Sequence, residues 1–396
     1  MEDGTRIEEA GMGRRRRALA ALVVIALGGG AAAAGPAGAA ATRHTALAAG
    51  VAYWRDTFTT ANGATVRAVL VSVDLRVKGV SLDPASYGET IGGPHRRLTG
   101  LADGTHAVAG VNGDFFSFDD DNTPPKGGMI RAGRILKTPR PGHQADFWIR
   151  ADGRAAAGPL TFQGLVRRAA AGTRAAAALP LYSINTLADA AKGRVTLITS
   201  DLAGTRLPAG CTVVSGGTTK GVRRVAAVRV GVRGLSRLPS GNWALAACGG
   251  TRAAQLRSTL AAGDPITISA SFAQGAVRSL ISGGALLVNG GAAHTDPTRV
   301  GVQGRNPETF ACLSRDGRTV TLGAIDGRSR RSAGVSFRSL TAYLLGLHCW
   351  SGLAFDGGGS TEMVARLVGH TRSSVLNVPS DGEERPVPNG LFVYKR

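Results

Sequence analysis

Residues Phe355-Asp356-Gly357-Gly358-Gly359-Ser360-Thr361-Glu362 follow a short apolar run and put one carboxylate at the mouth of three consecutive glycines. A backbone without Cβ atoms reaches conformations closed to other residues and lets a ligand approach the peptide groups closely. An acid at a strand end, bare amides beside it and a hydroxyl just after suit an anionic or sugar substrate. Similar punctuation occurs at Asn112-Gly113-Asp114, at Asp326-Gly327-Arg328 and at Asp381-Gly382-Glu383-Glu384-Arg385. Taken singly, each reads as a turn. Three of the four sit directly after apolar strands, where sheets present site residues, and they are expected to meet.

The pattern between these turns is mostly β. Val66 to Leu75, Val77 to Leu82, Ala107 to Val111 and Ala145 to Ile149 read as strands, and Gly128 to Leu136 as a hairpin turning at Ala132-Gly133. Leu98 to Ala102 reads as a short helix. Residues 42–65 are expected to be poorly structured, and 155–271 to form a β-rich insertion or smaller lobe without chemistry of its own. In the last third, Asp316-Gly317 marks a hairpin between Phe310 to Leu313 and Thr319 to Ile325. Ser336 opens an amphipathic helix with Phe337, Leu340, Tyr343, Leu344 and Leu347 near helical period. Gly390 to Tyr394 closes the chain as a strand. The expected class is α+β, built mainly on mixed or antiparallel sheets with a few packed helices.

Composition restricts partners and compartment. Of 47 basic residues only six are Lys, an Arg-for-Lys bias that looks like a GC-rich genome, and the formal net charge is +20. So basic a chain is drawn to polyanions. It has no zinc-finger spacing and no concentrated basic helix, so no nucleic-acid partner is expected. Arg14-Arg15-Arg16-Arg17, an apolar centre at Leu19 to Leu27 and small residues up to Ala41 describe a secretory signal peptide over 1–41, through the Sec or the twin-arginine route. The expected location is extracellular or envelope-associated, with no membrane insertion after cleavage. Four cysteines in an exported chain suggest two disulfides. Three pairings are possible, and sequence neighbours suggest Cys211 with Cys248 and Cys312 with Cys349. No C-x-x-C occurs and the histidines are scattered, so neither zinc nor another cofactor is expected. Asp119-Asp120-Asp121-Asn122 reads as a solvated loop, since it lacks the later glutamate of a calcium loop.

Six motifs in order resemble the phosphodiester glycosidase family, which includes the uncovering enzyme of lysosomal sorting. They are Gly110-Val111-Asn112-Gly113-Asp114-Phe115-Phe116; Pro125-Lys126-Gly127-Gly128 with Arg131-Ala132-Gly133; Asp326-Gly327-Arg328; Phe355 to Thr361; Asn377-Val378-Pro379-Ser380; and Arg385-Pro386-Val387-Pro388-Asn389-Gly390. The resemblance covers about 106–137 and 282–394. It implies a catalytic domain in two parts, 66–154 and 272–396, that cleaves the bond between a sugar's anomeric carbon and a phosphodiester oxygen. On that reading Asp356 is the leading acid/base, with Glu362 and Asp326 as further carboxylates, since glycoside hydrolysis often uses two. Asn112, Asp114, Arg305, Thr309, Arg328, Gly357, Gly358, Gly359, Ser360, Thr361 and Arg385 would bind substrate, the arginines neutralising phosphate. One departure stands out: Glu308-Thr309 occupies the place where family members carry Arg-Thr. The alternatives are a non-catalytic envelope protein that binds anionic glycans, and a glycoside hydrolase with no phosphate requirement.

Overall fold

Four sheets make up the fold. The computed structural model describes residues 43–118, 122–140, 145–170, 172–203, 206–294 and 304–396. The segment expected to be a signal peptide and the Asp119-Asp120-Asp121 run lie outside the described residues, and all four sheets belong to the unit Thr42–Arg396. One long sheet of eight strands is antiparallel and runs Thr45–Ala48, Val51–Thr59, Thr65–Asp74, Thr319–Ile325, Glu308–Leu313, Ser351–Ala354, Leu286–Asn289, Ala292–Ala293. A five-stranded sheet is ordered Ser374–Val375, Met363–Ala365, Ala109–Asn112, Asn389–Lys395, Val80–Ser86. A second has Val277–Ser282 between Met129–Arg131 and Asp146–Arg150, with Arg134–Lys137 and Ala155–Gly158 at its edges. Strands from Phe162–Arg168 to Pro265–Phe272 form another eight-stranded sheet, whose pair Ser183–Ile184 and Thr196–Thr199 is parallel. The protein is thus mostly antiparallel β, and its helices are few.

One apolar core joins the long sheet to both five-stranded sheets. Val71, Leu322 and Leu353 of the long sheet pack with Val111, Met363 and Leu391 of one and with Phe147 and Ile281 of the other. A separate core under the middle sheet gathers Leu245, Trp243, Val214 and Leu256. The disulfides are Cys211–Cys248 and Cys312–Cys349, the pairing suggested by sequence neighbours.

Local signals explain most elements. The Asp316-Gly317 turn closes the hairpin Glu308–Leu313 with Thr319–Ile325. Ser336 caps the helix Phe337–Gly346, its hydroxyl accepting from the Ser339 amide at 3.3 Å. The helix Leu98–Thr105 has no capping side chain at Arg97. Instead the Glu384 carboxylate takes the Thr99 amide at 3.1 Å and its hydroxyl at 2.7 Å, meeting the bare donors of the first turn from a distant segment.

One expectation needs correction. Residues 42–65 are not poorly structured: Val51–Thr59 pairs along its whole length with Thr65–Asp74. Its signal was present in Tyr53, Trp54 and Phe58 and in the Asn62-Gly63 turn. The middle segment is rich in strands and also carries the helix Gly250–Thr259, whose Ala253 and Leu256 are buried.

The register of Ser351–Ala354 positions the site. This strand lies between Glu308–Leu313 and Leu286–Asn289, with Ala311 opposite Leu353 on one side and Leu286 opposite it on the other. Leu353 and Phe355 are fully buried, and each such side chain is worth roughly 2 kcal/mol. A one-residue slip would turn them onto the opposite face, where Ala354 already packs in the core with Leu340 and Leu344 of the helix Phe337–Gly346.

Candidate active site

Three strand ends meet around Asp356. Its amide donates to the Gly113 carbonyl at 2.9 Å, and its own carbonyl accepts from Asn112 Nδ2 at 2.8 Å. Asn112 is 1% exposed, and its Oδ1 also accepts from Thr309 Oγ1 at 2.6 Å and from the Glu362 amide at 3.0 Å. One buried amide side chain therefore ties together the turn after Ala109–Asn112, the start of Glu308–Leu313 and the glycine turn. Asn112 and Thr309, expected to bind substrate, instead fix the backbone that carries Asp356.

The glycines have separate steric reasons. A Cβ on Gly357 would lie 2.8 Å from Glu308 Oε2 and 2.9 Å from the Pro307 carbonyl oxygen. One on Gly358 would lie 3.0 Å from Arg328 Nη2, and Gly358 also takes a φ of +64°. One on Gly359 would overlap the Arg385 guanidinium and the Asp381 carboxylate. Each glycine makes room for a different charged side chain.

A cleft of about 260 Å³ results, lined by Asp356, the three glycines, Asn306, Arg328, Arg385, Phe115 and Phe118. Asp356 is its single carboxylate among the described residues. Arg328 holds a left-handed φ of +57°, a conformation that costs about 1–2 kcal/mol in an L-residue. Its Nη2 donates to Asn306 Oδ1 at 3.0 Å. Arg385 is fixed by Asp381, with Nε to Oδ2 at 2.9 Å, and lies 5.2 Å from the Phe118 ring centroid. Its Nη1 reaches Ser360 Oγ at 3.4 Å. A larger cavity of about 570 Å³ lies on the middle sheet by Arg167, Val222 and Ile266. It has no carboxylate in its lining, so the smaller cleft is the better candidate.

Beneath the cleft is a layer of buried charge. Asp114, 2% exposed, accepts from the Phe115 amide at 2.8 Å and from the Gly127 amide. Burial pushes its carboxyl upward, opposed by Lys137 and assisted by Asp356. Lys137 is pushed down by burial and donates to the carbonyls of Pro125 and Lys126. Asp114 accepts backbone N–H groups and Lys137 donates to carbonyls, so the hydrogen bonds support the charged form of both. Asp114 is absent from the cleft lining and acts through the backbone it holds. Asp146, raised to about 7 by burial, accepts from Ser282 Oγ at 2.5 Å close by.

Several expected site residues lie elsewhere. Asp326 is 7% exposed and accepts the Val378 amide at 2.8 Å; burial raises its pKa, and it shapes the turn from which Arg328 extends. Arg305 is exposed outside the lining, and its neighbour Asn306 takes the place expected for it. Thr361 is buried, its carbonyl held by Asn377 Nδ2 at 3.1 Å. Glu308 is 2% exposed and stands behind Gly357, outside the cleft wall.

Glu362, expected as a second catalytic carboxylate, is 2% exposed and pairs with Glu384 beneath the helix Leu98–Thr105. Burial, then the hydrogen bond to Glu384 and its charge, push Glu362 up to about 10. Burial acts the same way on Glu384, but hydrogen bonds from Glu362 and Thr99 hold it below its ordinary value. Glu362 therefore keeps its proton at neutral pH and donates it to Glu384. The unfolded chain has lost that proton, so this group's contribution is complete below the usual carboxylate range and declines as pH rises toward 10. Glu362→Gln keeps a donor without the proton linkage. It should stabilise the fold by about 1–3 kcal/mol at pH 8 and by little at pH 4. Unfolding midpoints at both pH values check this, and an equal shift at the two rejects the shared proton.

Several known proteins are similar to this chain. A hypothetical protein from Synechocystis superposes with TM-score 0.74 at 19% identity, over 91% of this chain and 64% of its own. This chain thus spans under two thirds of that protein's length. A "Putative exported protein" from Burkholderia pseudomallei gives 0.65 at 20% identity, over 84% and 74%. At these identities the likeness concerns the fold. The catalytic domain of zebrafish N-acetylglucosamine-1-phosphodiester alpha-N-acetylglucosaminidase, auto-inhibited by its pro-peptide, gives 0.47 at 14% identity, over 87% and 83%. No curated protein matches the sequence. Residues 241–394, which hold Asp356, Arg328 and Arg385, match the phosphodiester glycosidase family.

Proposed function

We propose that the protein is a secreted hydrolase that cleaves the bond between a sugar's anomeric carbon and a phosphodiester oxygen. The observation that carries this reading is the single carboxylate, Asp356, sharing one cleft with Arg328, Arg385 and three glycines whose missing side chains leave the backbone open to a ligand. The family match over 241–394 supports the glycosidase class. Asp356 takes a proton from the water that adds to the anomeric carbon. The C–O bond breaks, and the phosphate departs with the bonding pair as a phosphomonoester. Arg328 and Arg385 neutralise its charge in a partly desolvated site. Phosphate is a good leaving group, so no second carboxylate need protonate it, in keeping with the positions of Glu362 and Asp326.

The catalytic body takes in Thr45–Gly158 and the chain from Val277 onward, and the middle sheet is a lobe outside the chemistry. Two disulfides, the leader-like sequence and the name of the Burkholderia relative support export. Substrates are sugar-1-phosphodiesters of envelope or extracellular glycopolymers. The +20 charge draws such polyanions in, an effect that salt weakens.

A substrate panel tests the reading. Free sugar should be released from an N-acetylglucosamine-1-phosphodiester and not from the matching methyl glycoside. Cleavage of both returns the protein to ordinary glycoside hydrolysis. Binding of the diester with no release makes it a non-catalytic glycan binder.

A further inference from the structure

A further cavity, of about 210 Å³, lies where two hairpin tips dock against the other end of the strand that carries Asp356. Ser351 lines it, so it stands five residues before Asp356, about 17 Å along an extended strand. Its polar wall brings together Arg150, Arg154, Arg315 and Asp316, with Trp148 and Trp350 beside them. We infer that this cavity is an anion-binding site, separate from the cleft, for a phosphate or carboxylate carried on a saccharide-sized group.

The site is rigid. Arg150 and Arg154 flank one turn, closed by the Arg150 amide on the Arg154 carbonyl at 2.9 Å and the Gly153 amide on the Arg150 carbonyl at 3.0 Å. That turn is pinned to the other hairpin by the Ala155 amide on the Gly317 carbonyl at 2.8 Å. Arg315 lies over the Trp350 ring, 4.8 Å from its centroid. Trp350 is held in turn by its amide on the Leu313 carbonyl at 2.8 Å, and the adjacent Cys312–Cys349 disulfide ties the strand Glu308–Leu313 to the segment leading into Ser351–Ala354. Trp350 thus serves as a platform for Arg315. A guanidinium stacked on a ring keeps its in-plane donors for an oxyanion.

The charge balance favours an anion. Asp316 is the one acid in the lining, and it already accepts from Ser314 Oγ at 2.6 Å and the Arg318 amide at 3.0 Å. Arg154 is 3.6 Å from Asp152. Arg150 and Arg315 have no carboxylate within ion-pair distance among the described residues. Guanidiniums left without a carboxylate in a preformed cavity offer the planar donors that phosphate and carboxylate accept. The volume exceeds that of a bare phosphate, and the strand from Ala155 with Trp148 supplies an apolar wall for a sugar ring.

The indole NMR signals of the four tryptophans test this in protein with both disulfides intact. An Arg328→Ala/Arg385→Ala background removes the cleft's own guanidiniums. Glucose 1-phosphate and glucuronate should shift the signals of Trp148 and Trp350 saturably, Trp350→Phe providing the assignment. Glucose should not shift them, and inorganic phosphate should bind more weakly than glucose 1-phosphate. Arg150→Ala, at an exposed position, should weaken binding about tenfold with the melting temperature unchanged, as expected for one charge-assisted hydrogen bond. Arg315→Ala should do the same. No saturable shift by about 10 mM, below any useful affinity, overturns the proposal, as does equal response to glucose or undiminished binding in Arg150→Ala.

Discussion

Asp356→Asn is expected to lower sugar release from a sugar-1-phosphodiester by about 10³-fold or more, the scale of losing both proton transfer and a carboxylate's charge. The fold should not notice. The residue's backbone supplies the contacts that fix it, with its amide on the Gly113 carbonyl and its carbonyl under Asn112 Nδ2. The Gly357 amide that donates to Asp356 Oδ1 at 3.0 Å finds the same acceptor in an asparagine carbonyl. Only basicity and negative charge disappear. The loss should therefore fall in kcat, with KM for the diester unchanged or lowered, because a carboxylate near a phosphodiester repels the ground state. Single-turnover assays beside direct binding of a non-hydrolysed analogue separate these terms. A variant that keeps more than about a tenth of wild-type kcat moves the chemistry to another group, since one residual decade corresponds to only 1.4 kcal/mol.

The glycine turn, the acid before it and the strand ends that carry the loops were legible in the sequence because each depends on local chemistry. Gly-rich and Asx-Gly turns after apolar runs report strand ends whatever the strands pair with. The order of those strands was not legible. Thr65–Asp74 pairs with Thr319–Ile325 across some 250 residues, and nothing local in either names the other. The same limit misplaced Glu362. A Glu directly after a Gly-Ser-Thr turn looks like a site carboxylate until the chain brings Glu384 and the start of Leu98–Thr105 to it. Asn306, Phe118 and Lys137 were missed because their side chains gain meaning only from partners far along the chain: Arg328, Arg385 and Asp114. Asn306 sat beside Arg305, and the residue with the formal charge attracted the assignment. Glu308, noted as a departure, is explained by Gly357, whose missing Cβ leaves space for its carboxylate.

Gly359→Ala should separate the stability of the turn from its function. Gly359 is not among the residues with positive φ, so alanine meets no backbone penalty there. The added methyl would instead occupy the place of the Arg385 guanidinium and the Asp381 carboxylate. Both are ends of flexible side chains about a quarter to a third exposed, so they can swing outward into water. An ion pair at that exposure is worth about 0–1 kcal/mol, and the melting temperature should change by no more than a few degrees. Catalysis should suffer far more. Arg385 would leave the position from which it faces the departing phosphate, a loss of about 10²-fold in kcat/KM, the scale of removing one positioned charge-stabilising donor. Arg385→Ala should give a similar loss. The double variant should be little worse than either single one, because both remove the same guanidinium. If the two losses multiply, the methyl acts on something other than Arg385, and the account of why the third glycine is required is wrong. Gly358→Ala is the contrasting case: its φ of +64° adds backbone strain to a 3.0 Å approach to Arg328, so stability and activity should fall together.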